Sequence, residues 1–136
     1  MEERIDSDDD PDTTAPDMGP GRIMKAFGYS MAGFAAAWRH EAAFRQEALA
    51  ALVLVPAACF LPVPLLQSAL LIASVLMVMV VELLNSSIEC AIDRISLERH
   101  DLSRRAKDTG SSAVLLAVLV ASIVWAAIVG GWILGL

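Results

Sequence analysis

Polar and apolar residues segregate into long blocks along this chain. No charged residue occurs at positions 48–81, a run of 34, or at positions 109–136, a run of 28. Apolar runs beyond ~18 residues predict membrane-spanning helices. The first run is too long for one ordinary span. Within it Pro62-Val63-Pro64 removes two backbone donors, which predicts a tight turn. The pattern therefore predicts three spans, over about residues 42–61, 65–90 and 109–134. A span needs ~20 residues at a rise of ~1.5 Å each. The first two must then borrow polar-flanked residues at one end, starting near Glu41–Glu47 and continuing through Glu82 respectively. Pro56 falls inside the first span, where neighbouring helices tolerate a kink. The competing reading, a soluble helical bundle, fits two uncharged runs of this length poorly.

A different period precedes the spans. Ile23, Phe27, Met31, Phe34 and Trp38 recur at spacings of 4, 4, 3 and 4, one stripe of a helix, with Arg22, Lys25 and Arg39 off it. This predicts an amphipathic surface helix over about residues 22–40, lying in the membrane interface. An ordinary helix packed on the bundle would carry the same stripe. Gly28 and Gly33 weaken the helix locally and permit close packing or a bend.

Charge sharpens the division. Residues 1–20 hold eight acids and one base, whereas the whole chain of 136 residues has a net charge of −6. The acidity thus belongs to a tail (residues 1–21) whose Asp, Pro and Gly content predicts disorder. The body, residues 22–136, is a single domain with a net charge of +1. The acidic, polar N-terminus of the chain has no apolar stretch of the kind a cleaved signal peptide carries. The 57% hydrophobic content exceeds the usual ~45–50%. These features argue against a soluble enzyme, a nucleic-acid partner and a disulfide scaffold. Bases lie before the first span (Arg22, Lys25, Arg39, Arg45) and after the second (Arg94, Arg99, Arg104, Arg105, Lys107), with none in the first turn. The positive-inside rule puts the N-terminus and the 90–108 loop in the cytoplasm and the C-terminus outside.

All ionisable chemistry of the body then sits on one side. Glu82, Asn85, Ser86, Glu89 and Asp93 are offset by 0, 3, 4, 7 and 11, one polar stripe of a helix leaving the bilayer. An ionisable residue at the membrane edge is costly and marks a functional candidate, although a solvated helix end gives the same spacing. Carboxylates beside a basic loop suit Mg²⁺ bound through one or two acids plus substrate phosphates. Lys107 and nearby arginines suit nucleotide phosphates, and a further acid suits proton removal from a hydroxyl. Phosphoryl transfer needs little beyond positioning and charge stabilisation. No P-loop, kinase-type glycine loop, zinc pattern or nucleophile elbow occurs. Cys59 and Cys90 read as apolar fillers. Three helices shield a polar stripe poorly, so self-association is expected.

The stretches Glu41-Ala-Ala-Phe-Arg-Gln-Glu47, Val81-Glu-Leu-Leu-Asn-Ser-Ser-Ile-Glu89, Ala91-Ile-Asp-Arg94 and Arg105-Ala-Lys-Asp-Thr-Gly-Ser111 resemble the prokaryotic diacylglycerol kinases. That family of small integral membrane kinases also contains undecaprenol kinases. The resemblance covers about residue 22 to the C-terminus. It implies an all-α homotrimer in the bacterial inner membrane, with three transmembrane helices and a surface helix per chain and active sites shared between chains. It implies transfer of the γ-phosphoryl group of ATP to the hydroxyl of diacylglycerol, giving phosphatidic acid. Carried over by motif, Glu82 is the base and Asn85 orders the site beside it. Glu41 and Glu89 hold Mg²⁺ and ATP, and Lys107 and Asp108 contact ATP. Arg22, Tyr29, Glu98, Arg99 and His100 match further nucleotide positions. Arg22, Glu47, Glu82 and Ser111 match lipid-substrate positions.

The family often has an aromatic residue and a lysine after Gly28-Tyr29-Ser30, where this chain has Met31 and Ala32. A headgroup contact of the surface helix is therefore expected to differ. The motif forms favour diacylglycerol as acceptor. Undecaprenol is the alternative acceptor, and a non-catalytic membrane scaffold the alternative class.

Overall fold

The computed structural model describes residues 20–95, 98 and 100–135. The expected disordered tail lies outside these residues, except that Pro20 and Gly21 open the first helix. The element order is α1 (Pro20–His40), α2 (Ala42–Phe60), α3 (Leu65–Ile95) and α4 (Asp101–Leu134), and no strand occurs among the described residues. Two compact units divide at Ala35 and Ala36, within α1.

In the first unit α1 presents Ile23, Phe27, Met31 and Phe34 as exposed side chains. Proline is tolerated in a first helical turn, where its missing N–H has no partner to lose, so the helix begins two residues before the expected start.

In the second unit α3 is central and packs against both α2 and α4. Its buried positions are Leu71, Val75, Val78, Glu82 and Asn85. The spacing of 4, 3, 4 and 3 is the seam of a coiled-coil-like packing, in which side chains recur every 3.5 residues toward a neighbour. On α2 the buried residues Phe44, Ala51 and Ala58 fall seven apart, and the two alanines allow a close approach. α2 runs unbroken through Pro56. The turn expected at Pro62-Val63-Pro64 is present, closed by Val63 N–H donating to the Leu61 carbonyl (2.8 Å) and Gln67 N–H to the Pro64 carbonyl (2.8 Å).

Two helices outrun the apolar segments that predict them. α3 has 31 residues and α4 has 34. At ~1.5 Å per residue these are about 46 and 51 Å long, against ~30 Å of hydrocarbon. Nothing between Glu82 and Ile95 breaks a helix, so α3 carries its polar stripe out of the apolar region as one rigid rod. α4 starts eight residues before its uncharged run because His100 caps it there. The His100 Nδ1 accepts from Leu102 N–H at 3.2 Å, and Asp101 follows in the first turn.

Three helices, α2, α3 and α4, are long and apolar enough to cross a membrane. α4 buries none of its residues within the chain. Leu115, Leu116, Val120 and Ile123 are among its exposed apolar side chains, a surface that suits lipid or protein rather than water. Cys59 and Cys90, expected as apolar fillers, are free and exposed on the chain, because both fall off the seams that make its core.

Candidate active site

The stripe begins at the seam itself. Glu82 is 4% exposed and Asn85 9% exposed, so both occupy core positions that Leu71, Val75 and Val78 hold one to three turns earlier. The expectation that three helices shield a polar stripe poorly fails at these two residues. The register places them between α3 and its neighbours, while Glu89 is half-buried and Asp93 exposed. The bland alternative, a solvated helix end, therefore describes only the far end of the stripe.

Three contacts organise the polar end of the bundle. Asn85 Nδ2 donates to Glu89 Oε1 at 3.3 Å, one turn along α3. Lys107 Nζ of α4 donates to Asp93 Oδ1 of α3 at 2.6 Å. Gly110 of α4 approaches Asn85 closely, and a Cβ placed there would run into Asn85 Oδ1. Lys107 lies two residues before the uncharged run, outside the membrane-spanning part of α4, and its hydrogen bond to Asp93 holds the ammonium above the ordinary lysine range.

Three carboxylates lie within electrostatic reach of Glu82. It interacts electrostatically with Glu41 and Glu89, and Glu47 in turn interacts with Glu82. Glu41 stands at the start of α2 in extended backbone, making no side-chain cap there, and is half-buried. Arg45, one turn on, turns away from these acids: its guanidinium donates to the Trp38 and Arg39 carbonyls at 3.0 and 3.4 Å, closing the end of α1. Like charges drawn together at low dielectric repel, and a divalent cation relieves the repulsion. Glu41 and Glu89 thus have the chemistry to hold Mg²⁺. Among the described residues no three His, Cys, Asp or Glu side chains group into a metal site. A two-carboxylate arrangement leaves further coordination positions to phosphate oxygens and water.

A groove of about 480 Å³ runs among α2, α3 and α4, lined at one end by Gln46 and Glu47 and along its walls by Leu54, Val75, Val118 and Trp125. Glu47 Oε2 and Trp125 Nε1 are buried there with no hydrogen-bond partner among the described residues. Ser122, also in the groove, donates its hydroxyl to the Val118 carbonyl at 2.8 Å.

Glu41, Glu47, Glu82, Asn85, Glu89 and Lys107 therefore belong to one end of the second unit. Asp108 and Ser111 are exposed on α4. Glu98 and His100 are exposed at the α3–α4 connection, where the His100 ring caps α4. Arg99 lies outside the described residues. Arg22 and Tyr29 belong to the first unit and are exposed on α1. Sequence reasoning missed Trp125 and Gly110 as site-shaping residues. Trp125 carries a signal in hindsight: an indole N–H in an uncharged span, three residues from a serine, needs an acceptor.

The family described as prokaryotic diacylglycerol kinase matches residues 28–129. A diacylglycerol kinase of Escherichia coli is 58% identical over 104 residues, covering 76% of this chain and 85% of the relative. One of Pseudomonas aeruginosa is 53% identical over 113 residues, covering 83% and 92%. One of Helicobacter pylori is 42% identical over 104 residues, covering 76% and 81%. With three membrane-length helices, a buried carboxylate–amide pair at their polar end and a match over most of its length, the chain belongs to the prokaryotic diacylglycerol kinase family of integral membrane enzymes.

Proposed function

We propose that the protein transfers the γ-phosphoryl group of ATP to the free hydroxyl of diacylglycerol, giving phosphatidic acid and ADP. The observation that carries this reading is the burial of Glu82 and Asn85 at the point where an apolar seam turns polar. Twenty residues of hydrocarbon span counted from Leu65 end at Leu84, so Glu82 falls at the depth of a lipid headgroup hydroxyl. Relatives that are 58% and 53% identical bear the name diacylglycerol kinase.

The Glu82 carboxylate accepts the proton of the lipid hydroxyl. The hydroxyl oxygen forms a bond to the γ-phosphorus as the bond from that phosphorus to the β,γ-bridging oxygen breaks, and ADP leaves with the bonding pair. The Asn85 amide fixes the neighbouring Glu89 and closes the site beside Glu82. Glu41 and Glu89 hold Mg²⁺, which when bound neutralises charge on the β- and γ-phosphates. Lys107 and Asp108 contact ATP, with the ammonium at the phosphates. Arg22, Tyr29, Glu98, Arg99 and His100 complete the nucleotide contacts. The groove takes the acyl chains of the lipid along Leu54, Val75, Val118 and Trp125, and Glu47 and Ser111 meet the headgroup. The active assembly is a homotrimer in the bacterial inner membrane. The N-terminus and the 90–108 connection face the cytoplasm, and the C-terminus faces outward.

The test is a side-by-side assay of purified protein in mixed micelles, with Mg-ATP and either diacylglycerol or undecaprenol. Transfer to diacylglycerol is expected, and Glu82→Gln is expected to lower it by about 10²–10⁴-fold with the oligomer intact. Transfer to undecaprenol alone would replace the acceptor. Transfer to neither would leave a scaffold, and normal turnover in Glu82→Gln would remove the base.

A further inference from the structure

α4 lies tight against α3 at Gly110. A Cβ on Gly110 would collide with Asn85 Oδ1 and stand 3.3 Å from Asn85 Cγ, whereas one on Gly130 or Gly131 of the same helix would meet nothing within 4 Å. Asn85 is 9% exposed, and its Oδ1 is buried with no hydrogen-bond partner among the described residues. Its other end is engaged, Nδ2 donating to Glu89 Oε1 at 3.3 Å. The amide has only one sensible orientation: reversed, it would face the carboxylate with its oxygen. Gly110 therefore bounds the oxygen side of the amide and Glu89 its nitrogen side.

We infer that Gly110 is a positioning residue, whose missing side chain lets Asn85 keep the rotamer that holds the Glu89 carboxylate. The inference rests on the proposed assignment of Glu89 to the metal and nucleotide. A methyl group at this position does not harm the helix, because alanine is the better helix former. It cannot push the α3 backbone aside without disturbing the packed seam above. The movable group is the Asn85 carboxamide. Once it rotates away it releases Glu89, which is only half-buried and swings toward solvent. The carboxylate then meets the cation as a mobile ligand rather than an oriented one.

The experiment is a double-variant cycle on the full chain in detergent, read by Mn²⁺ titration with electron paramagnetic resonance in the presence of a non-hydrolysable ATP analogue. Gly110→Ala is expected to weaken Mn²⁺ binding about tenfold, the effect of one lost hydrogen bond to a charged group. Its melting temperature is expected to be unchanged or raised. Gly130→Ala is expected to leave both readings unchanged. In an Asn85→Ala background, Gly110→Ala is expected to cause no further weakening, because the added methyl group then has nothing to displace. Equal weakening in both backgrounds, or none in the wild-type background, overturns the inference. If Gly110→Ala alone lowers the yield of folded protein, the double variant is expected to restore it, and failure to do so also overturns the inference. Glu89→Ala separates the underlying assignment: unaltered Mn²⁺ binding in that variant removes Glu89 from the metal while the Gly110–Asn85 coupling is still read.

Discussion

Asp93 and Lys107 form the one side-chain contact between α3 and α4 that carries full charge on both partners among the pairs described above. Their side chains are 50% and 36% exposed, so the pair contributes only about 0–1 kcal/mol to stability. Its consequence is positional, because it holds the ammonium of α4 beside the acidic row of α3. Asp93→Asn keeps the size and removes the charge, which frees the lysine to sample solvent. The expected outcome is an apparent KM for ATP raised roughly threefold to tenfold, as a weakened charge-assisted contact would give, with an unchanged melting temperature. Steady-state kinetics at saturating lipid checks this, and an unchanged KM would mean that Lys107 finds the phosphates unaided. At this scale the sequence was informative where a residue's partner lies on its own helix. Glu82, Asn85 and Glu89 were legible because a period of 3.6 aligns them. Trp125 and Gly110 were not, because their roles depend on which residues of another helix face them.

The elements were legible as apolar blocks, and their ends were not. Charge counting finds where a helix can be inside a bilayer, whereas hydrogen bonding decides where it stops, so α3 and α4 run on into polar sequence. The seam of α3 is the element that fixes the rest. Leu71 is fully buried at its apolar end. Leu71→Ala is expected to destabilise the bundle by about 2–5 kcal/mol, as cavity formation does elsewhere. Glu82 lies eleven residues further along α3, about 16 Å at the helical rise. The turnover per folded molecule is therefore expected to persist. Thermal denaturation in detergent, paired with activity normalised to folded protein, checks both halves. A fall in specific turnover would show that packing strain reaches the site through the rod.

For the whole molecule, the charge falls into two populations. The acidic N-terminal segment carries a net charge of −7 against +1 for the rest of the chain, and none of its residues falls within the family match. Removal of residues 1–19 is expected to leave specific activity within about twofold, the range of a surface change that touches no contact. Loss of most activity would give the segment a role in assembly or nucleotide access. The body depends on its surroundings: no residue of α4 is fully buried within the chain, so its exposed apolar flank must be covered by lipid or protein.

The unbroken seam of α3 also sets stability and catalysis against each other. Glu82 occupies a position that packing alone would give to leucine, and a carboxylate there carries a desolvation cost that an apolar side chain of similar size does not. Glu82→Leu is accordingly expected to melt higher than the wild type while transferring no phosphate, and a lower melting temperature would show that the carboxylate supports the fold. Selection of variants for heat resistance alone would drift toward apolar residues at 82 and 85 first. On the proposed assignment, the polar residues at those two positions persist only where turnover is selected as well.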